Sequence, residues 1–161
     1  MFKSIVKEPI HRSRVLRRIV GYDRGTMEQT ADSAQSAKRI LFIDDDPFIT
    51  DVVGAKLREA HFEVHIAKNG QAGLEMLATM TPDLILLDLV MPNVNGFAVL
   101  ERLRASEAWR GIPVIVFSNL GEAEELSRTS ELGVREHIVK STLAPHEVVQ
   151  KVTDILGADT V

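Results

Sequence analysis

The chain contains no cysteine, has only one tryptophan and one tyrosine, and lacks any long apolar run. Without cysteine there is no disulfide framework and no thiol nucleophile, and a reducing compartment, the cytoplasm, is expected. No stretch approaches the roughly 20 apolar residues that a transmembrane helix needs. The formal net charge of -4 over 161 residues gives no general attraction to nucleic acid, so direct nucleic-acid binding is not expected.

The charge that is present is unevenly distributed along the chain. Residues 1–37 carry seven Lys and Arg against four Asp and Glu, whereas the remainder carries twelve against nineteen. Small and polar residues at 30–37 separate the two parts and are typical of a linker. We therefore predict a basic extension with a linker over residues 1–37, one domain over residues 38–157, and a short tail over residues 158–161.

The basic extension has three interpretations. Apolar residues interleave with arginines between Ile5 and Val20, which is the pattern of an amphipathic helix that contacts an anionic membrane or a partner through residues 1–24. The second interpretation is a disordered extension. The third is that translation starts at Met27, so that residues 1–26 are not part of the native protein. The sequence favours the second and third interpretations over membrane contact.

After residue 38, short apolar runs alternate with segments of helical period. The apolar runs at 39–44, 83–88 and 112–118 are continuous, as in central strands buried on both faces. The run at 62–66 alternates with polar residues, as at a sheet edge, and a shorter run lies at 135–140. Five strand–helix units joined by right-handed crossovers predict an α/β fold with a doubly wound parallel sheet.

Four of these predicted strands end in polar residues. The first ends in the acidic triplet Asp44, Asp45 and Asp46, and the others end in Asp88, Ser118 and Lys140. Carboxyl ends of parallel strands lie along one edge of the sheet, where such folds bind their ligands. Carboxylates, a hydroxyl and an ammonium at one edge predict a site for a divalent cation and a phosphoryl group.

These motifs, in this order and spacing, resemble the receiver domain of bacterial two-component response regulators over residues 38–157. The matching segments are Ile43–Pro47, Asp88 with Met91–Pro92 and Asn95–Gly96, Phe117–Ser118, and Ile138–Lys140. The resemblance implies a flavodoxin-like (βα)5 fold with strand order 2-1-3-4-5. It also implies that a sensor histidine kinase or a phosphotransfer protein donates a phosphoryl group to this domain.

The resemblance assigns roles to individual residues. Asp88 matches the phosphoacceptor, and Lys140 matches the lysine that pairs with the phosphoryl oxygens. Asp44 and Asp45 match the acidic pair that holds Mg²⁺, together with Asp88 and the backbone carbonyl of Val90. Ser118 matches the hydroxyl that turns toward the bound phosphate.

Three positions depart from the family pattern, and one acidic residue is left over. His137 stands at the switch position, which is usually Tyr or Phe, so the usual aromatic coupling is in question. Ser141 follows the lysine in place of the usual Pro, and Asn119 stands where a small residue is common. Asp46 directly precedes Pro47, and we predict that it caps the helix that begins there rather than binding metal.

The predicted function is that of a single-domain response regulator. It is not expected to be an enzyme beyond self-catalysed phosphoryl transfer and slow self-dephosphorylation. A downstream protein is expected to dock on the face built from residues 121–157. The alternative is a phosphorylation-independent protein-binding module on the same fold, and the two differ in whether a phosphodonor with Mg²⁺ modifies the protein.

Overall fold

Strands and helices alternate along the computed structural model, which describes residues 36–119, 123–142 and 144–158. The predictions for residues 1–35 therefore lie outside the described residues. The strands are β1 (Arg39–Ile43), β2 (Glu63–Ala67), β3 (Leu84–Leu87), β4 (Val114–Ser118) and β5 (Glu136–Val139). The helices are α1 (Pro47–Glu59), α2 (Gly70–Leu77), α3 (Gly96–Ala105), α4 (Ala123–Glu131) and α5 (Pro145–Ala158).

The strands form one parallel sheet in the order β2-β1-β3-β4-β5. This order confirms the predicted fold class and the edge position of β2. Strand order reverses between β1 and β3, where Ile43 is in register with Leu87. The residues that follow these two strands, Asp44 and Asp88, are therefore neighbours at the carboxyl edge of the sheet.

The core consists of two apolar layers, one on each face of the sheet. Successive β1 side chains point to opposite faces, so Leu41 and Ile43 pack in one layer, while Ile40 and Phe42 pack in the other. All four are fully buried. In the second layer, Phe42 meets Phe117 edge to face, with ring centroids 5.9 Å apart. Burial on both faces explains why these strands are continuous apolar runs in the sequence.

The helix ends agree with the sequence only in part. Helix α2 ends at Leu77, ahead of the pair Thr81–Pro82, although a proline is the more usual helix stop. Helix α5 runs through Gly157 to Ala158, although glycine often ends a helix. That glycine does not adopt the left-handed conformation that terminates many helices. No helix in the described part of the chain is long and apolar enough to cross a bilayer.

Arg104, near the end of α3, ties three segments together at the amino edge of the sheet. Its Nε donates to the carbonyl of Leu132 at 2.6 Å, and Nη2 donates to that of Gly133 at 3.1 Å. Its Nη1 donates to the carbonyls of Arg110 and Ile112, at 3.0 and 3.2 Å. The guanidinium thereby links α3, the segment before β4 and the segment between α4 and β5.

Candidate functional site

A buried ion triad lies at the carboxyl edge of the sheet. The Nζ atom of Lys140, which follows β5, lies 2.6 Å from Oδ2 of Asp44 and 3.1 Å from Oδ2 of Asp88. The side chains of Lys140, Asp44 and Asp88 are only 8%, 0% and 6% exposed, respectively. The structure thus brings together three residues that lie far apart in the sequence, as the strand-end pattern predicts.

The backbone of the sheet fixes both acidic residues. Asp44 donates its N–H to the carbonyl of Ala67 at 3.0 Å, and Asp88 donates to the carbonyl of Ile43 at 2.9 Å. Each bond extends the strand ladder by one step beyond the regular pairing. The two carboxylates are therefore held by the sheet itself, which is the rigid support that a reactive group requires.

The carboxylates of Asp44, Asp45 and Asp88 form a group that fits a divalent cation. One oxygen of each lies within 4.8 Å of the others. The buried Oδ2 of Asp44 lies 2.6 Å from the Lys140 ammonium and has no other partner among the described residues. The three carboxylates outnumber the one ammonium, and hard oxygen ligands with excess negative charge suit Mg²⁺. Asp45 is exposed, so it is accessible from solvent.

Val90 lies at the mouth of the site. Its N–H donates to Oδ1 of Asp88 at 3.2 Å, and its side chain is 55% exposed. The hydrogen bond orients the Asp88 carboxylate and leaves Oδ2 toward Lys140. The predicted role of the Val90 carbonyl as a metal ligand stays a prediction.

Burial and charge pairing shift two pKa values in the triad. Burial raises the pKa of Asp44, although the ammonium of Lys140 and the N–H of Asp46 oppose the shift. Burial alone would lower the pKa of Lys140, but the carboxylates of Asp44 and Asp88 outweigh it and raise that pKa. Lys140 therefore remains a cation at neutral pH and supplies the positive charge of the site.

The third residue of the acidic triplet has a different task. Oδ1 of Asp46 accepts from the N–H groups of Phe48 at 2.9 Å and Ile49 at 3.3 Å, which caps α1. Asp46 also donates its own N–H to Oδ1 of Asp44 at 3.0 Å. The predicted division of the triplet into metal ligands and a helix cap is confirmed for the cap.

Gly96 supports the site in a way that sequence reasoning missed. A Cβ atom at this position would lie 2.1 Å from the carbonyl oxygen of Asp88 and 2.6 Å from Cα of Leu89. Gly96 also donates its N–H to the carbonyl of Leu89 at 3.1 Å. The start of α3 therefore lies directly against the backbone of the acidic residue. The pair Asn95–Gly96 was the available signal, because Asn95 caps α3 and glycine permits close backbone approach.

Ser118 and His137 lie on neighbouring strands. Ser118 is the last residue of β4, is fully buried, and accepts the N–H of Lys140 on its carbonyl at 3.1 Å. His137 on β5 is in register with Val116 and lines a cavity of about 130 Å³ beside Thr129 of α4. Their predicted switch roles stay predictions.

Comparison with known proteins identifies the family. The family model described as the response regulator receiver domain matches residues 40–153, and the chain belongs to this family. The DNA-binding dual master transcriptional regulator RpaA from Synechocystis is 39% identical over 102 residues, which are 63% of this chain and 42% of that protein. The chain thus spans less than half the length of this relative.

Two solved structures show the same architecture. A CheY-like receiver domain protein from Methanospirillum hungatei has a TM-score of 0.71 and 27% identity, with 76% of this chain and 96% of that chain covered. The Mn²⁺-bound form of response regulator Rcp1 has a TM-score of 0.67 and 26% identity, with 77% and 96% covered. The family and fold predicted from the strand-end motifs are confirmed.

Proposed function

We propose that this receiver accepts a phosphoryl group on Asp88 from a histidine kinase or a phosphotransfer protein. The observation that carries the proposal is the ion triad, in which the Asp88 carboxylate lies 3.1 Å from the Lys140 ammonium. Membership of the receiver family supports the same assignment. A phosphoryl acceptor needs a nucleophile and a positive charge that stabilises the oxygens of the incoming phosphoryl group. The fixed Asp88 carboxylate and the fixed Lys140 ammonium are these two groups.

The proposed step is nucleophilic. An oxygen of Asp88 attacks the phosphorus of a phosphohistidine, the phosphorus–nitrogen bond breaks, and its electron pair remains on the imidazole. The product is an acyl phosphate on Asp88. Lys140 pairs with the phosphoryl oxygens as a compact point charge. The hydrogen bond of Asp88 to the sheet backbone holds its carboxylate in place for the attack on phosphorus.

The acidic group gives the proposed metal site. Asp44, Asp45 and Asp88, with the carbonyl of Val90, would hold Mg²⁺, because their oxygens converge and the cluster carries excess negative charge. When bound, Mg²⁺ offsets the repulsion between an anionic donor and an anionic acceptor. Asp45 is the ligand whose loss disturbs the fold least, since it is exposed and the other two carboxylates are buried.

The proposed output is docking of a protein partner on the face of α4, β5 and α5, within residues 121–157. In this proposal Ser118 reports the phosphoryl group through its hydroxyl, and His137 transmits the change at the cavity beside α4. The arrangement of adjacent strands supports it, because Ser118 pairs with Val139 in β5. That the protein acts as a single-domain regulator stays a prediction of the sequence.

The decisive experiment is phosphorylation with a small phosphodonor. With acetyl phosphate and Mg²⁺, the intact mass should rise by one phosphoryl group, and Asp88→Asn and Asp88→Ala should abolish the increase. Asp83→Asn is the matched control, because Asp83 lies at the other end of the same strand and pairs with Lys38. Label on another residue in Asp88→Ala would reject the acceptor, and no label on the wild type would favour the phosphorylation-independent binding module.

A further inference from the structure

The turn after β5 restrains the backbone on both sides of Lys140. On one side, Lys140 donates its N–H to the carbonyl of Ser118 at 3.1 Å. On the other side, Thr142 donates both its N–H and its hydroxyl to the carbonyl of Val139, at 3.0 and 2.9 Å. Lys140 and Ser141 are therefore the central residues of a four-residue turn that two donors close on one acceptor.

This turn determines where the Lys140 side chain starts. A lysine stem is flexible, yet its Nζ is held against both Asp44 and Asp88 with only 8% of the side chain exposed. Neither central residue of the turn is a proline, so no ring restrains the backbone there. Hydrogen bonds have to do so, and the hydroxyl bond requires a Thr or Ser at this position.

We propose that Thr142 is a positioning residue for phosphoryl transfer. Its hydroxyl closes the turn at residues 139–142 and thereby holds the Lys140 ammonium against Asp44 and Asp88. The effect on phosphoryl transfer rests on the proposed function of Asp88. The effect of Thr142 on the position of the Lys140 side chain does not depend on that function. Positioning matters because a reacting group displaced by about 1 Å can lose on the order of 100-fold in rate.

Two variants and one matched control isolate the hydroxyl. Thr142→Val keeps the branched shape and the backbone N–H and removes only the hydroxyl, whereas Thr142→Ser keeps the hydroxyl. Thr79, after α2, makes the same pair of bonds: its N–H and its hydroxyl both donate to the carbonyl of Met76 at 3.0 Å. Thr79→Val therefore removes an equivalent bond far along the chain from Lys140.

The first measurement needs no phosphorylation. Trace acylation with an amine reagent, followed by peptide mass spectrometry, gives the reactivity of Lys140 relative to the exposed Lys56. Thr142→Val should raise this ratio about threefold or more, the effect of losing one ordinary hydrogen bond, while Thr142→Ser and Thr79→Val should leave it unchanged. An unchanged ratio in Thr142→Val, or an equal rise in Thr79→Val, overturns the proposal.

The second measurement concerns the reaction. At saturating acetyl phosphate and Mg²⁺, Thr142→Val should be phosphorylated more slowly by a similar factor, and Thr142→Ser should restore the wild-type rate. A wild-type rate in Thr142→Val overturns the positioning role. If even the wild type gains no phosphoryl group, the function proposed for Asp88 fails, while the reactivity of Lys140 still tests the turn.

Discussion

Replacing Gly96 by alanine should damage both the fold and the acceptor site. The added Cβ would lie 2.1 Å from the Asp88 carbonyl oxygen, whereas ordinary contact begins at 3.4 Å. The start of α3 would have to move by more than 1 Å and would strain the bond from Gly96 to Leu89. Overpacking against backbone of this kind costs about 3 kcal/mol, which exceeds the gain of about 1 kcal/mol from replacing a helical glycine.

Gly157 provides the matched control for this substitution. It also lies in a helix, but a Cβ there would meet no atom within 4 Å. Gly157→Ala should therefore be neutral or stabilise by up to about 1 kcal/mol. The two substitutions add the same methyl group, so their difference measures the close approach at Asp88.

Urea unfolding measures the difference directly. A net loss of about 2 kcal/mol shifts the midpoint by roughly 1 M for a domain of this size, and Gly96→Ala should also slow phosphorylation of Asp88. If Gly96→Ala unfolds at the same urea concentration as Gly157→Ala, the start of α3 can move away from Asp88 without a loss of unfolding free energy. The tight contact would then not be what fixes the acidic residue.

Three further predictions concern the charged and apolar residues of the site. Asp45→Ala should weaken Mg²⁺ binding and phosphorylation together, whereas Asp46→Ala should remove a helix cap and cost about 1 kcal/mol of unfolding free energy. Mg²⁺ titration measures the first effect and urea unfolding the second. Equal losses of Mg²⁺ affinity in the two variants would contradict the assignment of Asp45 to the metal and Asp46 to the cap. Burial raises the pKa of Asp44 in the folded protein above its usual 3.8. The protonated carboxyl therefore stabilises the fold below pH 3.8, and this stabilisation is lost as pH rises through the raised pKa of the folded state. Asp44→Asn should lose this part of the pH dependence, so its urea midpoint should fall relative to that of the wild type as pH falls from neutral toward 3.8. A difference that stays constant with pH would reject the shift. Val90 and Leu120 stand two residues beyond Asp88 and Ser118 in the sequence, and their apolar side chains cannot hold a hydrolytic water. The phosphorylated protein should therefore lose its phosphoryl group slowly, and Val90→Asn with Leu120→Glu should accelerate the loss severalfold. Unchanged decay would show that these side chains do not control it.

The sequence predicts most of the fold because its signals are local. Continuous apolar runs mark the central strands. The pair Asp46–Pro47 marks the start of α1, because the capping residue and the first residue of the helix are neighbours in the sequence. The site is predictable for a related reason: parallel strands bring their ends together, so Asp88 and Lys140 had to lie near Asp44. Sequence patterns of this kind need no knowledge of side-chain packing.

The features that escaped prediction depend on contacts between distant segments. Nothing in the sequence shows that the Lys140 ammonium lies closer to Asp44 than to Asp88, because that difference depends on how the ends of three distant strands pack together. Position 96 requires glycine because the backbone of Asp88 and Leu89, just after β3, lies against it. The hydrogen bonds of Arg104 reach residues 28 and 29 positions away. Contacts between distant segments produce no periodic pattern of residues in the sequence, so they cannot be predicted from it.

Two of the four hydrogen bonds of Arg104 anchor the end of α4 that lies at the amino edge of the sheet. The carbonyls of Leu132 and Gly133 follow the last turn of this helix, so its final residues are anchored to α3 and to the segment before β4. Its first residue, Ala123, lies toward the carboxyl edge of the sheet, after β4 and Ser118. The nine residues of α4 span roughly 13 Å, so a tilt of about 10° about the anchored end would displace Ala123 by about 2 Å. A displacement of α4 about this anchored end would therefore be largest at the end of the helix that follows β4 and Ser118.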